Sequence, residues 1–144
     1  MSDQAAAVLL QCEGAVAPLT LNWPEKLNPL DGDAIAALDA RVGELEARVD
    51  IRVVRLTGAG KAFSAGGDLA GYISLYQAPD AFRDFLEAFH ALLNRMEQSA
   101  KIYVAAVNGA CVAGGLELLL TCDVALAGEG ARIGDGHRNF GQLP

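Results

Sequence analysis

Histidine is scarce in this chain. His90 and His137 are the only two in 144 residues, too few for a cluster of histidine and cysteine ligands around a metal. Cysteine is nearly as scarce. Cys12, Cys111 and Cys122 make an odd count with no C-x-x-C spacing, which argues against a disulfide framework and points to a reduced, cytoplasmic protein. Basic residues are outnumbered: 11 Lys and Arg stand against 18 Asp and Glu, a formal net charge of −7. So acidic a chain is a poor general partner for phosphate backbones or anionic lipid, which sets aside nucleic-acid and membrane-surface roles. A phosphate-bearing ligand would need local Lys or Arg, or backbone N–H groups. No basic stretch precedes the short apolar run at the N-terminus, so it does not read as a secretory signal. The most apolar stretch, Ile102 to Ala127, is broken by Asn108, Glu117, Asp123 and several glycines. That pattern argues for a buried strand, turn, helix and strand rather than a membrane span. Internal repeats, low-complexity segments and clear linkers are also lacking, and the length fits one domain, 1–144.

What is present is a globular composition with 52% apolar residues, enough for a real core. Ala7 to Cys12 and Val16 to Asn22 are β-prone runs split by Glu13-Gly14, which predicts a hairpin. Two prolines and an asparagine make Trp23 to Leu30 a loop. Asp31 is placed to cap a helix whose apolar face is Ile35, Leu38, Val42, Leu45 and Val49, with Glu44 and Arg48 as an i,i+4 pair. Ile51 to Leu56 reads as a strand and runs into a glycine-rich turn over Thr57 to Asp68. Asp68-Leu69 opens a short helix. Pro79 suits the first residue of a longer one, with Phe82, Phe85, Leu86, Phe89, Leu92, Leu93 and Met96 on its apolar face. Ile102 to Val107 is uncharged and reads as a strand buried on both faces. Asn108-Gly109 marks a turn, Gly114-Gly115 precede a short helix over Leu116 to Leu120, and Cys122 to Ala127 is another strand. The alternation predicts an α/β layer with mostly parallel strands.

Two of these turns hold the chemistry. Each follows a buried strand and precedes a helix, where glycine lets the backbone approach a ligand and the first helical N–H groups lack partners. Two such turns can aim two N–H donors at one oxygen, which stabilises an enolate or a tetrahedral oxyanion. Either turn alone is better explained by tight turns and close packing. Gly58-x-Gly60-Lys61 is not a phosphate-binding Walker loop, which needs four residues between its glycines.

Taken together the turns are more specific. Lys61-Ala-Phe-Ser-Ala-Gly-Gly-Asp-Leu69 resembles the first signature of the crotonase (enoyl-CoA hydratase/isomerase) superfamily. Ala105-Ala-Val-Asn-Gly-Ala-Cys-Val-Ala-Gly-Gly-Leu-Glu-Leu-Leu-Leu-Thr-Cys-Asp123 resembles the second, and a long helix separates the two, as in that family. The resemblance runs from about Leu19 to the last residue. It implies an α/β, crotonase-like core of ββα type, here without the C-terminal helical part, and an acyl-CoA substrate. Family chains continue well past the position of Pro144, with helices that complete the acyl pocket and pack between subunits as trimers or hexamers.

The resemblance also implies roles, position by position. Gly67 and Gly114 match the two donors to the thioester oxygen. Glu117 matches the first of two acid/base glutamates in the hydratase branch. Among its leucine neighbours on a short helix its carboxylate is expected to be buried, which suits proton shuttling. Ala65, Gly66, Asp68 and Leu69 fall where the family contacts acyl-CoA. Lys26 to Leu30 corresponds to a loop near the adenine and pantetheine, with Lys26 as a phosphate contact. No metal or redox cofactor is called for, since coenzyme A enters with the substrate.

The chain departs from the pattern where the second glutamate belongs. In Ile133-Gly-Asp-Gly-His-Arg-Asn-Phe-Gly-Gln-Leu-Pro144 the aligned residue is His137. Histidine can serve as an acid or base near neutrality, a surface histidine is an equal reading, and Asp135 lies two residues earlier. The dehalogenase branch places a catalytic histidine on the helix of His90, but lacks a glutamate at the position of Glu117. Hydration or isomerisation is therefore the first expectation. Other acyl-CoA chemistry (decarboxylation, hydrolysis, C–C cleavage) and a non-catalytic CoA-binding chain are the alternatives.

Overall fold

Two strands, β1 (Val8–Leu10) and β2 (Val16–Leu21), open the computed structural model, which describes residues 6–140. They form the expected antiparallel hairpin. The chain then makes a 3-10 turn at Pro24–Lys26 and enters helix α1 (Gly32–Glu46). The Asp31 side chain caps that helix by accepting from the Ala34 N–H at 2.9 Å, which satisfies one of its orphan donors. Strand β3 (Val53–Gly58) follows, then β4 (Ala62–Ser64), helices α2 (Leu69–Tyr76) and α3 (Pro79–Glu97), and strands β5 (Ile102–Val107) and β6 (Ala110–Val112). Helix α4 (Gly114–Leu120), strands β7 (Val124–Ala127) and β8 (Arg132–Gly134) and a 3-10 turn at His137–Phe140 complete the order.

The strands form two sheets rather than one layer. The larger runs β1-β2-β3-β5-β7 and is parallel except for the hairpin. The smaller, β4-β6-β8, is wholly parallel. None of its three strands is expected from the sequence, and β4 lies inside the glycine-rich turn over Thr57 to Asp68. Their function is to carry β4 and β6 side by side, and both lead directly into the two glycine-rich turns.

Leu38, Val42 and Leu45 of α1, Leu92 and Met96 of α3, and Leu19, Val54, Leu56, Tyr103 and Ala105 of the larger sheet share one core. Each such aliphatic side chain contributes about 1.5–3 kcal/mol by leaving water. Arg95 ties α3 to α1 through Asp39 at 2.8 Å and Glu46 at 2.7 Å. Exposed pairs of this kind contribute under about 1 kcal/mol each.

Five expectations need correction. Helix α1 stops at Glu46, so Val49 is not on its core face and is 93% exposed. For the same reason Glu44 and Arg48 do not pair. Glu44 bonds Arg41, and Arg48 bonds Asp50. Strand β3 begins at Val53, although Ile51 is buried. Strand β5 buries one face through Tyr103, Ala105 and Val107, while Ile102 is exposed and its other neighbours are half-covered. Strand β7 starts at Val124 because Asp123 anchors the chain first. Its N–H donates to the Tyr103 carbonyl, and its carboxylate accepts from the Tyr103 N–H at 2.8 Å. All four β7 residues are exposed on the sheet edge.

Burial pushes the Cys111 thiol up to about 11, and the Cys122 thiol and Tyr103 hydroxyl up to about 12. The native state therefore holds these protons more firmly than the unfolded chain does. The stability this contributes is fully present below the ordinary thiol value of about 8.5 and is lost as pH rises through 11 to 12. The thermal unfolding midpoint is expected to fall steadily between about pH 9 and 12; a flat profile would contradict the burial of these groups.

Candidate functional site

Ser64 ends β4 and prepares the first turn. Its hydroxyl donates to the Asn28 carbonyl at 2.8 Å and accepts from the Gly66 N–H at 3.1 Å. The loop over residues 27–30 is zipped to this turn from the other side. The Ala65 N–H donates to the Leu27 carbonyl at 2.9 Å, and the Leu30 N–H to the Gly66 carbonyl at 2.8 Å. Leu27 and Asn28 reach this arrangement at φ +62° and +55°, a left-handed conformation that costs a non-glycine residue free energy and is held by its surroundings.

Asn28 supplies much of that hold. It is buried, its amide donates to the carbonyls of Ala59 and Ala62 at 2.9 Å each, and its oxygen accepts from the Trp23 N–H at 2.8 Å. Asn108 works from the opposite side, bonding the backbone of Gly58, Gly60 and Ala62. Asn28→Ala is expected to cost about 2–3 kcal/mol by taking the partner from the Trp23 N–H and the Ala59 carbonyl, while the Ala62 carbonyl keeps Asn108. Denaturant unfolding measures it, and a change under 0.5 kcal/mol would show that water replaces the amide.

The second turn is strained at its centre. Ala113, between β6 and α4, sits at φ +51°, ψ −125°. Its carbonyl accepts from the N–H groups of Leu116 and Glu117, and its own N–H donates to the Asp135 carbonyl at 2.6 Å. Gly115 lies so close to β4 that a Cβ there would fall 2.5 Å from the Ser64 carbonyl oxygen.

The two turns touch. Gly66 has φ +82°, and a Cβ on it would lie 2.9 Å from the Gly114 nitrogen, 2.9 Å from the Val112 oxygen and 2.8 Å from the Ala113 Cβ. A Cβ on Gly114 would meet the Gly66 Cα at 3.6 Å and Glu117 Oε2 at 3.7 Å. The Glu117 carboxylate therefore lies back over the start of its own helix, beside Gly114. It is half-buried rather than buried. Among the described residues, the N–H groups of Gly67 and Gly114 donate to no acceptor.

Other expected residues spread outward from this point. Ala65 and Asp68 are half-buried in the first turn, and Leu69 is the first residue of α2. The Asp68 carbonyl accepts from the Tyr72 N–H. Lys26 is exposed and places its ammonium 4.4 Å from the centre of the Trp23 ring, at the rim rather than in the junction. His90 is exposed on α3. His137 is brought in beside the second turn, half-buried, with Nδ1 2.6 Å from Asp135 Oδ1. Pro144 lies outside the described residues.

Tyr72 is a residue that composition does not single out. A Cβ on Gly67 would fall 1.9 Å from its hydroxyl, so the phenol stands against the first turn. Phe82 and Phe85 hold the ring edge-on, with centroids at 6.1 and 5.7 Å. The signal for it was the helical spacing from Asp68, which puts position 72 one turn along α2.

Known proteins share this arrangement of elements. The sequence pattern of a family described as enoyl-CoA hydratase/isomerase matches residues 11–144. The chain is 36% identical over 138 residues to the short-chain-enoyl-CoA hydratase of Clostridium acetobutylicum, covering 95% of this chain and 52% of that one. A crystal structure of an enoyl-CoA hydratase/isomerase from Xanthobacter autotrophicus superposes with a TM-score of 0.88 at 36% identity, over 94% of this chain and 51% of that one. An enoyl-CoA hydratase from Bacillus anthracis gives 0.90 at 28% identity, over 96% and 54%. The chain spans about half the length of the curated relatives it matches.

Proposed function

Since the chain belongs to the enoyl-CoA hydratase/isomerase family, we propose that it polarises the thioester carbonyl of an acyl-CoA between the N–H groups of Gly67 and Gly114. The observation that supports this reading is the junction itself. Gly66 packs against Gly114, and the Glu117 carboxylate lies beside Gly114. Negative charge developing on the thioester oxygen then meets two fixed donors that need no reorganisation, each worth about 2.7–4 kcal/mol of barrier. Glu117 moves a proton at the α carbon, where the polarised carbonyl has made that proton acidic. His137 or a water assists. Ala65, Gly66, Asp68 and Leu69 shape the acyl-CoA path, and Lys26 reaches a phosphate at its rim. Assembly as a trimer or hexamer and a place in fatty acid metabolism belong to the same reading.

Turnover tests it. Protein expressed from the complete gene is assayed against crotonyl-CoA and a 3-enoyl-CoA by loss of the conjugated enoyl thioester absorbance or its appearance. Hydration or double-bond migration is expected. Failure of both substrates, in a protein that still binds coenzyme A thioesters, overturns the reading. His137 at the place of the second glutamate favours a second reading, namely decarboxylation, hydrolysis or C–C cleavage of another acyl-CoA. A substrate panel separates the two, and exclusive hydration or isomerisation rules the second out.

A further inference from the structure

Asp135 and His137 flank Gly136, which turns the chain at φ +76°. Their side chains meet, with Asp135 Oδ1 2.6 Å from His137 Nδ1. A carboxylate can only accept, so Nδ1 must carry the proton. A neutral imidazole has one donor and one acceptor nitrogen, and with Nδ1 protonated the lone pair is on Nε2. Among the described residues Nε2 has no partner.

The same aspartate holds the second turn. Its carbonyl accepts from the Ala113 N–H at 2.6 Å, one residue before Gly114. Gly136 is pressed there too: a Cβ on it would lie 3.3 Å from Val112 Cβ and 3.5 Å from the Ala113 nitrogen. Asp135 thus links the imidazole to the turn through its side chain and backbone together. Exposure divides the pair unequally. The imidazole side chain is 16% exposed and the carboxylate 43%, so the ring is largely covered by protein while the carboxylate keeps contact with water.

From this geometry we infer that Asp135 is a positioning residue, which fixes the tautomer and direction of the His137 ring so that Nε2 is the proton acceptor at this site. The inference rests on the reading above, in which His137 takes part in turnover. It assigns the role of orienting group, which nucleophile–base–acid arrangements give to a buried carboxylate, to a residue that stands two positions before the histidine.

The test uses 15N-labelled protein from the complete gene, with the His137 ring signals assigned by their loss in His137→Gln. At pH 8 the wild type is expected to show a protonated Nδ1 and a bare Nε2. In Asp135→Ala the ring is expected to shift toward the Nε2–H tautomer. The kcat on crotonyl-CoA should fall about 10- to 100-fold with KM within about threefold. A purely structural role would lower the unfolding midpoint without moving the tautomer. Asp135→Asn, which keeps the shape and an acceptor oxygen, is the second variant should the alanine fail to fold, and its expected loss is smaller but in the same direction. An unchanged rate in His137→Gln removes the reading beneath this inference, and the inference with it. Loss of activity in His137→Gln together with an unchanged rate and tautomer in both Asp135 variants overturns the positioning role alone.

Discussion

Glu117→Gln is expected to lower kcat on an enoyl-CoA by about 10²- to 10⁴-fold, the range for loss of a positioned general acid or base. The substitution keeps size and hydrogen-bonding shape and removes only the capacity to exchange a proton. Glu117 is half-buried, and no ion pair joins it among the described residues. The amide therefore breaks no visible bond, and the unfolding free energy should stay within about 0.5 kcal/mol of wild type. Thioester binding falls to the backbone donors, so KM should change far less than kcat. Steady-state kinetics on both proteins settles the matter. A glutamine variant that turns over at the wild-type rate would remove Glu117 from the chemistry and leave proton transfer to His137 or a water.

Gly66→Ala is expected to damage both stability and activity. The backbone there is at φ +82°, and the added methyl would fall within 3 Å of Val112 O, Gly114 N and Ala113 Cβ. Two of those three atoms are backbone and cannot rotate away. The unfavourable conformation costs about 1–2 kcal/mol, and overpacking adds about 1–3 kcal/mol. Relief would come from separating the two turns, and that separation moves the Gly67 and Gly114 donors relative to one another. Gly14→Ala is the matched control. It too has positive φ, but nothing lies within 4 Å of the new methyl, so only the conformational part is expected. Unfolding free energies for the two variants, measured with turnover, distinguish crowding from backbone strain. Equal losses in the two would mean that the turns are not packed as described.

The helices were the most legible part of the fold. Asp31 and Pro79 each mark a start that the structure keeps, because a cap and a fixed φ act locally. The far end of α1 was less legible. Val49 continues the apolar spacing of Ile35, Leu38, Val42 and Leu45, yet the helix has already ended. Periodicity reports a face and does not report where the face stops. The smaller sheet left no trace, since β4, β6 and β8 are three residues each, too short for alternation to show. At the site, Gly67, Gly114 and Glu117 could be placed from the two motifs. Asn28, Ser64 and Asp135 could not. Their work is done on carbonyls and rings across the fold, such as Asn28 on Ala62 or Asp135 on Ala113, and sequence spacing carries no sign of those partners.

The order of the larger sheet has a kinetic consequence. Only β1 and β2 are joined by a short hairpin. Every other pairing brings together distant segments: Val16 with Val53, Val53 with Ile102, and Val104 with Val124. Each closes a long loop before any ladder bond can repay the lost chain entropy, and parallel sheets of this kind assemble slowly. Strand β7 joins only after β5 is in place, and during synthesis β5 must wait for α2 and α3 to emerge. Until then the apolar β3 edge is open to other chains. The arrangement that packs two glycine turns side by side thus depends on long-range contacts, the class that slows folding.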